Sequence, residues 1–224
     1  MPKKGVDGET GARIMATEQK AVQNKTRNVI LNEAYRQFCS CGYRGANINT
    51  IVTKSNITKG ALYYYFNSKK DLALAVVDDI IITKINKYWT DHLEKIDDPI
   101  KALRRLLLSG DTVEPGRMMP PADLIRLLLE LIPLDNAFRQ RLGSIHKKAL
   151  GIIADSFRRA MEAGKIIGSI DPDKMAASIM AGVIGGTVLS VSTHDINIYN
   201  DCRRDLVNYL ETLRSDNMKA APAM

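Results

Sequence analysis

A chain of 224 residues is long enough for a small domain of about 50 residues and a larger one of about 150, each able to bury a core. Its 32 basic and 25 acidic side chains leave a net charge of +7, which is weak evidence by itself because basic surfaces are often only solvated faces. Three cysteines (Cys39, Cys41, Cys202) and three histidines (His92, His146, His194) are scattered without metal-ligand spacing, which argues against a structural zinc site; no metal and no cofactor is expected.

Met1 to Gln23 is polar and lacks the apolar core of a secretory signal, so the chain reads as cytoplasmic. Residues 1–24, with Pro2, Gly5 and Gly8 and little apolar periodicity, are expected to form a disordered arm. A first helix closes before Gly42, and Cys39 and Cys41 near its end read as small half-buried residues rather than a redox switch. In the next helix Ile48, Ile51 and Val52 recur at i, i+3 and i+4 and would line one buried face, with Asn47 as N-cap. Asn56 tolerates the left-handed backbone of a helix-ending turn, and Ile57 is apolar enough to plug the angle that follows. Thr58 can cap a second short helix from Lys59 to Tyr65. Only Leu62 and Phe66 have core spacing there, which leaves Lys59, Ala61, Tyr63, Tyr64 and Tyr65 mostly outward. Exposing three tyrosines gains a globular protein little. It offers a DNA-binding protein phenolic donors for phosphates, ring faces for sugars and thymine methyls, and, at Gly60 and Ala61, a backbone free to approach the duplex.

Charge placement agrees. Lys25 to Leu72 carries eight basic residues against Glu33 and Asp71, a net +6, whereas the first 24 residues carry +1 and Ala73 to Met224 balances to zero. A basic head on a neutral body is the footprint of phosphate binding. The stretch from Thr26 to Leu72 resembles the DNA-binding domain of the tetracycline-repressor (TetR) family. The pattern is Thr26, Arg27, Ile30, Leu31, Ala34 and Phe38, then Gly42-Tyr43, Ile48, Ile51, Ile57 and Gly60, closing with Leu62-Tyr63, Phe66, Lys69 and Leu72. Val52 and Ser55 stand where alanine is usual in that family, Asn56 where glycine is usual and Tyr65 where histidine is common. The resemblance implies an all-α homodimer in which the helix starting at Lys59 enters the major groove and a divergent C-terminal domain binds an inducer and pairs the subunits.

After Leu72 the periodicity is helical almost throughout, with no alternating strand pattern. Helices are expected over Lys69 to Lys95, Pro99 to Ser109, Ala122 to Leu131, Asn136 to Ala163 with Gly164 as C′ residue, Pro172 to Ser192, and Tyr199 to Arg214. Pro115, Gly116 and Pro120-Pro121 mark a loop from Gly110 to Pro121. The layout is therefore an arm (1–24), a helix-turn-helix domain (25–72), a ligand-binding and dimerisation domain (73–216) and a disordered tail (217–224).

Met175 to His194 contains no charged residue apart from the terminal histidine and carries Gly182 and Gly186 as a G-x-x-x-G pair. A membrane span is the weaker reading, because Ser178, Thr187, Ser190, Ser192 and Thr193 dilute the run and no second segment could accompany it. The better one is a helix at a subunit interface, where Ile179, Gly182, Val183 and Gly186, with Leu206, Tyr209 and Leu210 of the last helix, complete a four-helix seam. Catalysis is not expected, since no nucleophile motif, zinc motif or phosphate-cradling glycine loop occurs. Trp89, Met118, Met119, Leu128, Phe138 and His146 are candidate walls of an effector pocket, although core packing explains any one of them equally well.

These readings and the resemblance together imply a homodimeric repressor that two-fold symmetry matches to an inverted-repeat DNA operator, released by a small-molecule effector. Asn47, Thr58, Lys59, Gly60, Ala61, Tyr63, Tyr64, Tyr65 and Lys69 are the expected DNA contacts. The rivals are an activating or ligand-independent regulator of the same fold, and a small-molecule-binding or protein-interaction module without specific DNA recognition.

Overall fold

The computed structural model describes residues 8–108 and 122–215, with backbone alone for residues 8–22. The chain divides into two compact units, Met1–Val76 and Val77–Met224. All regular structure among the described residues is helical apart from one isolated bridge between Ile166 and Arg214.

The first unit begins with α1 (Gly8–Gly45), continues through α2 (Ile48–Lys54) and α3 (Lys59–Tyr65), and ends with α4 (Lys69–Val76). Helical backbone starts at Gly8, inside the stretch whose composition predicts a disordered arm. The reason lies in the composition beyond Gly11. Ala12, Met15, Ala16, Glu18, Gln19, Lys20 and Ala21 are strong helix formers, and a helix needs no apolar face to continue from one already anchored. Regular α1 geometry stops at Gly42, whose φ of 75° and ψ of 167° lie where a side chain would be strained. Ile30, Leu31, Ala34 and Phe38 on α1 are buried, together with Ile51, Leu62, Phe66, Leu72, Ala73 and Val76. They form the core of a three-helix head closed by α4 against α1.

The second unit opens with a π-helical turn (Val77–Ile81) and runs through α5 (Ile82–Trp89) into a second π-helical turn (Thr90–Glu94). It continues with α6 (Pro99–Leu108), α7 (Ala122–Leu131), α8 (Asn136–Glu162), α9 (Pro172–Thr193) and α10 (Ile196–Thr212). Asp98 accepts from the Lys101 amide at 2.9 Å at the start of α6, Asp135 caps α8, and Gly164, with φ 66°, follows the end of α8. The core gathers Trp89, Leu93, Leu103, Ile153, Phe157, Ile179, Val183 and Leu210. Polar ties hold its margins. Buried Arg203 on α10 donates to the Leu107 carbonyl at the end of α6 and to Asn200 Oδ1 at 2.6 Å, and stacks 4.5 Å from the Tyr199 ring centroid. Arg214 reaches Asp98 at 2.9 Å and Glu211 at 2.6 Å. Burial pulls the Asp98 carboxyl up, but the Arg214 hydrogen bond and the Lys101 amide bring it below the ordinary carboxylate value.

α9 is long and apolar enough to cross a membrane, with a mean hydropathy of 1.7 over its best window. A core helix passes the same test. Met175, Ala176, Ile179, Val183, Gly186, Thr187 and Ser190 form its buried stripe, and the Thr187 hydroxyl donates to the Val183 carbonyl at 2.9 Å. A Cβ on Gly186 would stand 3.1 Å from Cys202 Cβ, and one on Gly182 would stand 3.9 Å from Leu206 Cδ2. Gly186 therefore serves the approach of α9 to α10 within one chain, while Gly182 faces Leu206 at ordinary contact distance. Ile179, Val183 and Leu210 are core residues of the same chain, at 0%, 5% and 0% exposure, and Leu206 packs half-buried beside them. Ile179, Val183, Gly186 and Leu210 are thus taken up within their own chain, whereas the expectation gave them to a partner: small residues mark a close helix approach without saying whose helix approaches. Of the seven positions assigned to the interface, Tyr209 is the one that is exposed.

Candidate nucleic-acid interface

The junction between α2 and α3 is built from local capping. Asn47 Oδ1 accepts from the Asn49 amide at 2.8 Å and starts α2. At its other end the Asn56 amide donates to the Thr53 carbonyl at 3.1 Å, and the Ile57 amide donates to the Val52 carbonyl at 3.3 Å. That pair of bonds, with Asn56 left-handed at φ 52°, is a Schellman closure. Asparagine holds a backbone region in which most side chains are strained, so the turn forms without the glycine usual in the resembling family. Thr58 Oγ1 then accepts from the Ala61 amide at 3.1 Å and starts α3.

α3 is pinned by very little. Leu62 is fully buried and Phe66, its C-cap, is 4% exposed, with the Arg27 guanidinium 5.6 Å from the Phe66 ring centroid. Lys59 and Gly60 are exposed, Ala61 and Tyr65 are half-buried, and Tyr63 and Tyr64 are 44% and 71% exposed. Tyr64 and Tyr65 meet edge to face with centroids 5.0 Å apart. A Cβ on Gly60 would meet nothing nearer than Thr58 Oγ1 at 3.9 Å, so the fold has room for a side chain there that this sequence leaves out. Asn47, Asn49, Thr53 and Thr58 are exposed beside it, giving one face of amides, hydroxyls, phenols and an ammonium. Such a face can donate to phosphates and base edges and can bring backbone close to a duplex.

Lys69 is differently placed from the other expected contacts. Its ammonium donates to the Ala46 carbonyl at 2.6 Å and the Arg44 carbonyl at 3.1 Å, and lies 5.0 Å from the Tyr43 ring centroid. Sequence reasoning missed this clasp, although a lysine at the first position of a helix, where its charge opposes the dipole, was the signal for it. Glu33, 8% exposed, is tied to Gln37 and Arg36 at 3.3 Å and lies 3.9 Å from Lys54, which links α1 to α2.

In the second unit Trp89, Leu128 and Phe138 are buried and His146 is half-buried, while Met118 and Met119 lie outside the described residues. Burial holds the His146 imidazole below the ordinary histidine value. A cavity of about 300 Å³ lies between the second π-helical turn and α6, lined by Asp91, His92, Ile96, Asp98, Lys101, Ala102 and Arg105. Of the expected wall residues that the structure describes, Trp89, Leu128, Phe138 and His146, none lines it.

Residues 30–76, the head from α1 to α4, match the model of the bacterial regulatory proteins of the tetR family. The probable acrEF/envCD operon repressor of Escherichia coli strain K12 is 32% identical over 191 residues, covering 81% of this chain and 84% of that protein. The chain belongs to the tetR family. The HTH-type transcriptional regulator TtgR of Pseudomonas putida is 26% identical over 177 residues, covering 76% of this chain and 82% of its own. Among solved structures, a TetR transcriptional regulator from Chloroflexus aurantiacus superposes with a TM-score of 0.74 at 20% identity, covering 87% of this chain and 98% of that one. A regulator from Saccharomonospora viridis in complex with choline gives 0.71 at 21% identity, covering 85% and 98%. This tetR-family member is accordingly a DNA-binding transcription regulator with the helix-turn-helix of its family, and not an enzyme.

Proposed function

We propose that the protein is a homodimeric repressor whose two heads bind the half-sites of an inverted repeat in successive major grooves. The observation that carries this is α3: Leu62 alone is sunk in the core of that helix, and Lys59, Tyr63 and Tyr64 stand exposed around it. Lys59 and Ala61 read bases, and Asn47, Thr58, Gly60, Tyr63, Tyr64 and Tyr65 engage the backbone. The first unit is the DNA-binding part, and the second pairs the subunits and takes the effector. Pairing uses exposed aliphatic residues toward the C-terminal end of α9, with neighbours on α10. Val188, Leu189 and Val191 are 40%, 51% and 49% exposed, joined by Ile196 and Tyr209 of α10 at 43% and 51%. Aliphatic surface of this kind is stabilised by a second copy that excludes water from it. Two-fold symmetry then places the recognition helices about 34 Å apart, or a multiple of it.

Repression is supported by the relative named as an operon repressor, and a small organic effector by the structural neighbour that holds choline. An effector in the second unit favours a conformer with the heads wrongly spaced, and by reciprocity operator DNA weakens that effector. Selection of bound duplexes from a random pool at near-physiological salt tests the reading. An enriched inverted repeat is expected; folded dimer that enriches nothing overturns it.

A further inference from the structure

Lys69 opens α4, where the positive end of the helix dipole disfavours an ammonium. Ser68 and Asp71 already serve that end, with Ser68 Oγ accepting from the Asp71 amide at 3.0 Å. The Lys69 ammonium turns instead toward the end of α1, where carbonyls are left over and the dipole is negative. It binds the Arg44 and Ala46 carbonyls at 3.1 and 2.6 Å above the Tyr43 ring. These two carbonyls flank Gly45, in the connector that leaves α1 at the left-handed Gly42. Ala46 immediately precedes Asn47, the residue that caps α2.

One ammonium thus fixes the Arg44–Gly45 and Ala46–Asn47 peptide planes, which bracket a segment that contains glycine, the residue type with least preference of its own. We propose that Lys69 is a positioning residue for DNA recognition, locking the connector that presents Asn47 and α2, rather than a phosphate contact. Removal of the clasp leaves Gly42 to Ala46 free to sample other conformations. Specific binding, which needs Asn47 and α3 in register, then suffers, and non-specific attraction to phosphate does not.

This rests on the regulator reading above, and binding of the unaltered protein to its selected duplex tests that reading separately. Lys69→Gln and Lys69→Met both remove the charge at nearly equal size, but glutamine keeps two N–H donors for the two carbonyls. Affinity is measured for the selected duplex and for a scrambled duplex across a salt series, with folding checked by thermal melting. Lys69→Met is expected to lose about tenfold or more on the selected duplex, with the scrambled duplex and the salt slope unchanged, and Lys69→Gln to stay within about threefold of the unaltered protein. A phosphate contact would instead weaken both variants alike on both duplexes and lower the salt slope by about one, and that result overturns the proposal. So does unchanged specific affinity in both variants. If Lys69→Met fails to fold, the comparison of Lys69→Gln with the unaltered protein on slope and on both duplexes still decides.

Discussion

α3 and α9 are both helices with more exposed surface than their cores require, and the chemistry of that surface differs. α3 has seven residues, one buried leucine and an outward face of lysine and tyrosine. α9 has 22 residues, a buried stripe toward its own chain and an outward face of valine and leucine. Phenols and ammonium groups are content in water and exchange one hydrogen-bond partner for another when they meet phosphate. Aliphatic side chains have no such exchange available, and their burial is driven by release of water. Exposure by itself therefore says little about function; what the exposed atoms can do with water separates a surface suited to nucleic acid from one suited to another protein.

Six changes would break or sharpen this contrast. Leu62→Ala removes the one fully buried anchor of α3 and should cost about 2–5 kcal/mol in urea unfolding of the head, with loss of DNA binding. Val188→Asp with Leu189→Asp should leave the protomer folded and give a monomer in sedimentation equilibrium, lowering affinity for an inverted repeat by about a hundredfold or more through lost bivalency. Gly186→Val, pressed toward Cys202 from 3.1 Å, should destabilise by about 1–3 kcal/mol. In the same melt Gly182→Ala, with 3.9 Å to Leu206, should be neutral or stabilising by up to about 1 kcal/mol. Tyr64→Ala on α3 should change stability by less than about 0.5 kcal/mol, because the residue is 71% exposed, while weakening duplex binding by about 1 kcal/mol. The smallest effect concerns His146. Its folded-state value lies below that of the unfolded chain, so protonation favours unfolding. Stability should decline as pH falls through about 6.5, and His146→Gln should flatten that part of the profile in pH-dependent denaturation.

Much of the head was legible in the chain itself. Asn47, Asn56 and Thr58 announce their turns because capping and left-handed backbone are local chemistry, settled within three or four residues. The limits of α6, α7 and α8 follow the apolar period and the terminating proline and glycine for the same reason. The reach of α1 back to Gly8 is not legible in the same way, because Pro2, Gly5 and Gly8 favour irregular backbone and the helix formers after Gly11 carry no apolar period.

What no local rule could supply was the identity of each partner. Gly182 and Gly186 declare that some helix comes close, and the tertiary structure decides that it is α10 of the same chain, through Cys202 and Leu206. Lys69 declares a positive charge in a basic segment, and only the fold bends it onto two carbonyls 23 and 25 residues away. Capping, periodicity and net charge are properties of neighbours in sequence. A close approach or an ammonium cage joins residues far apart in the chain, so it exists only once the helices have packed.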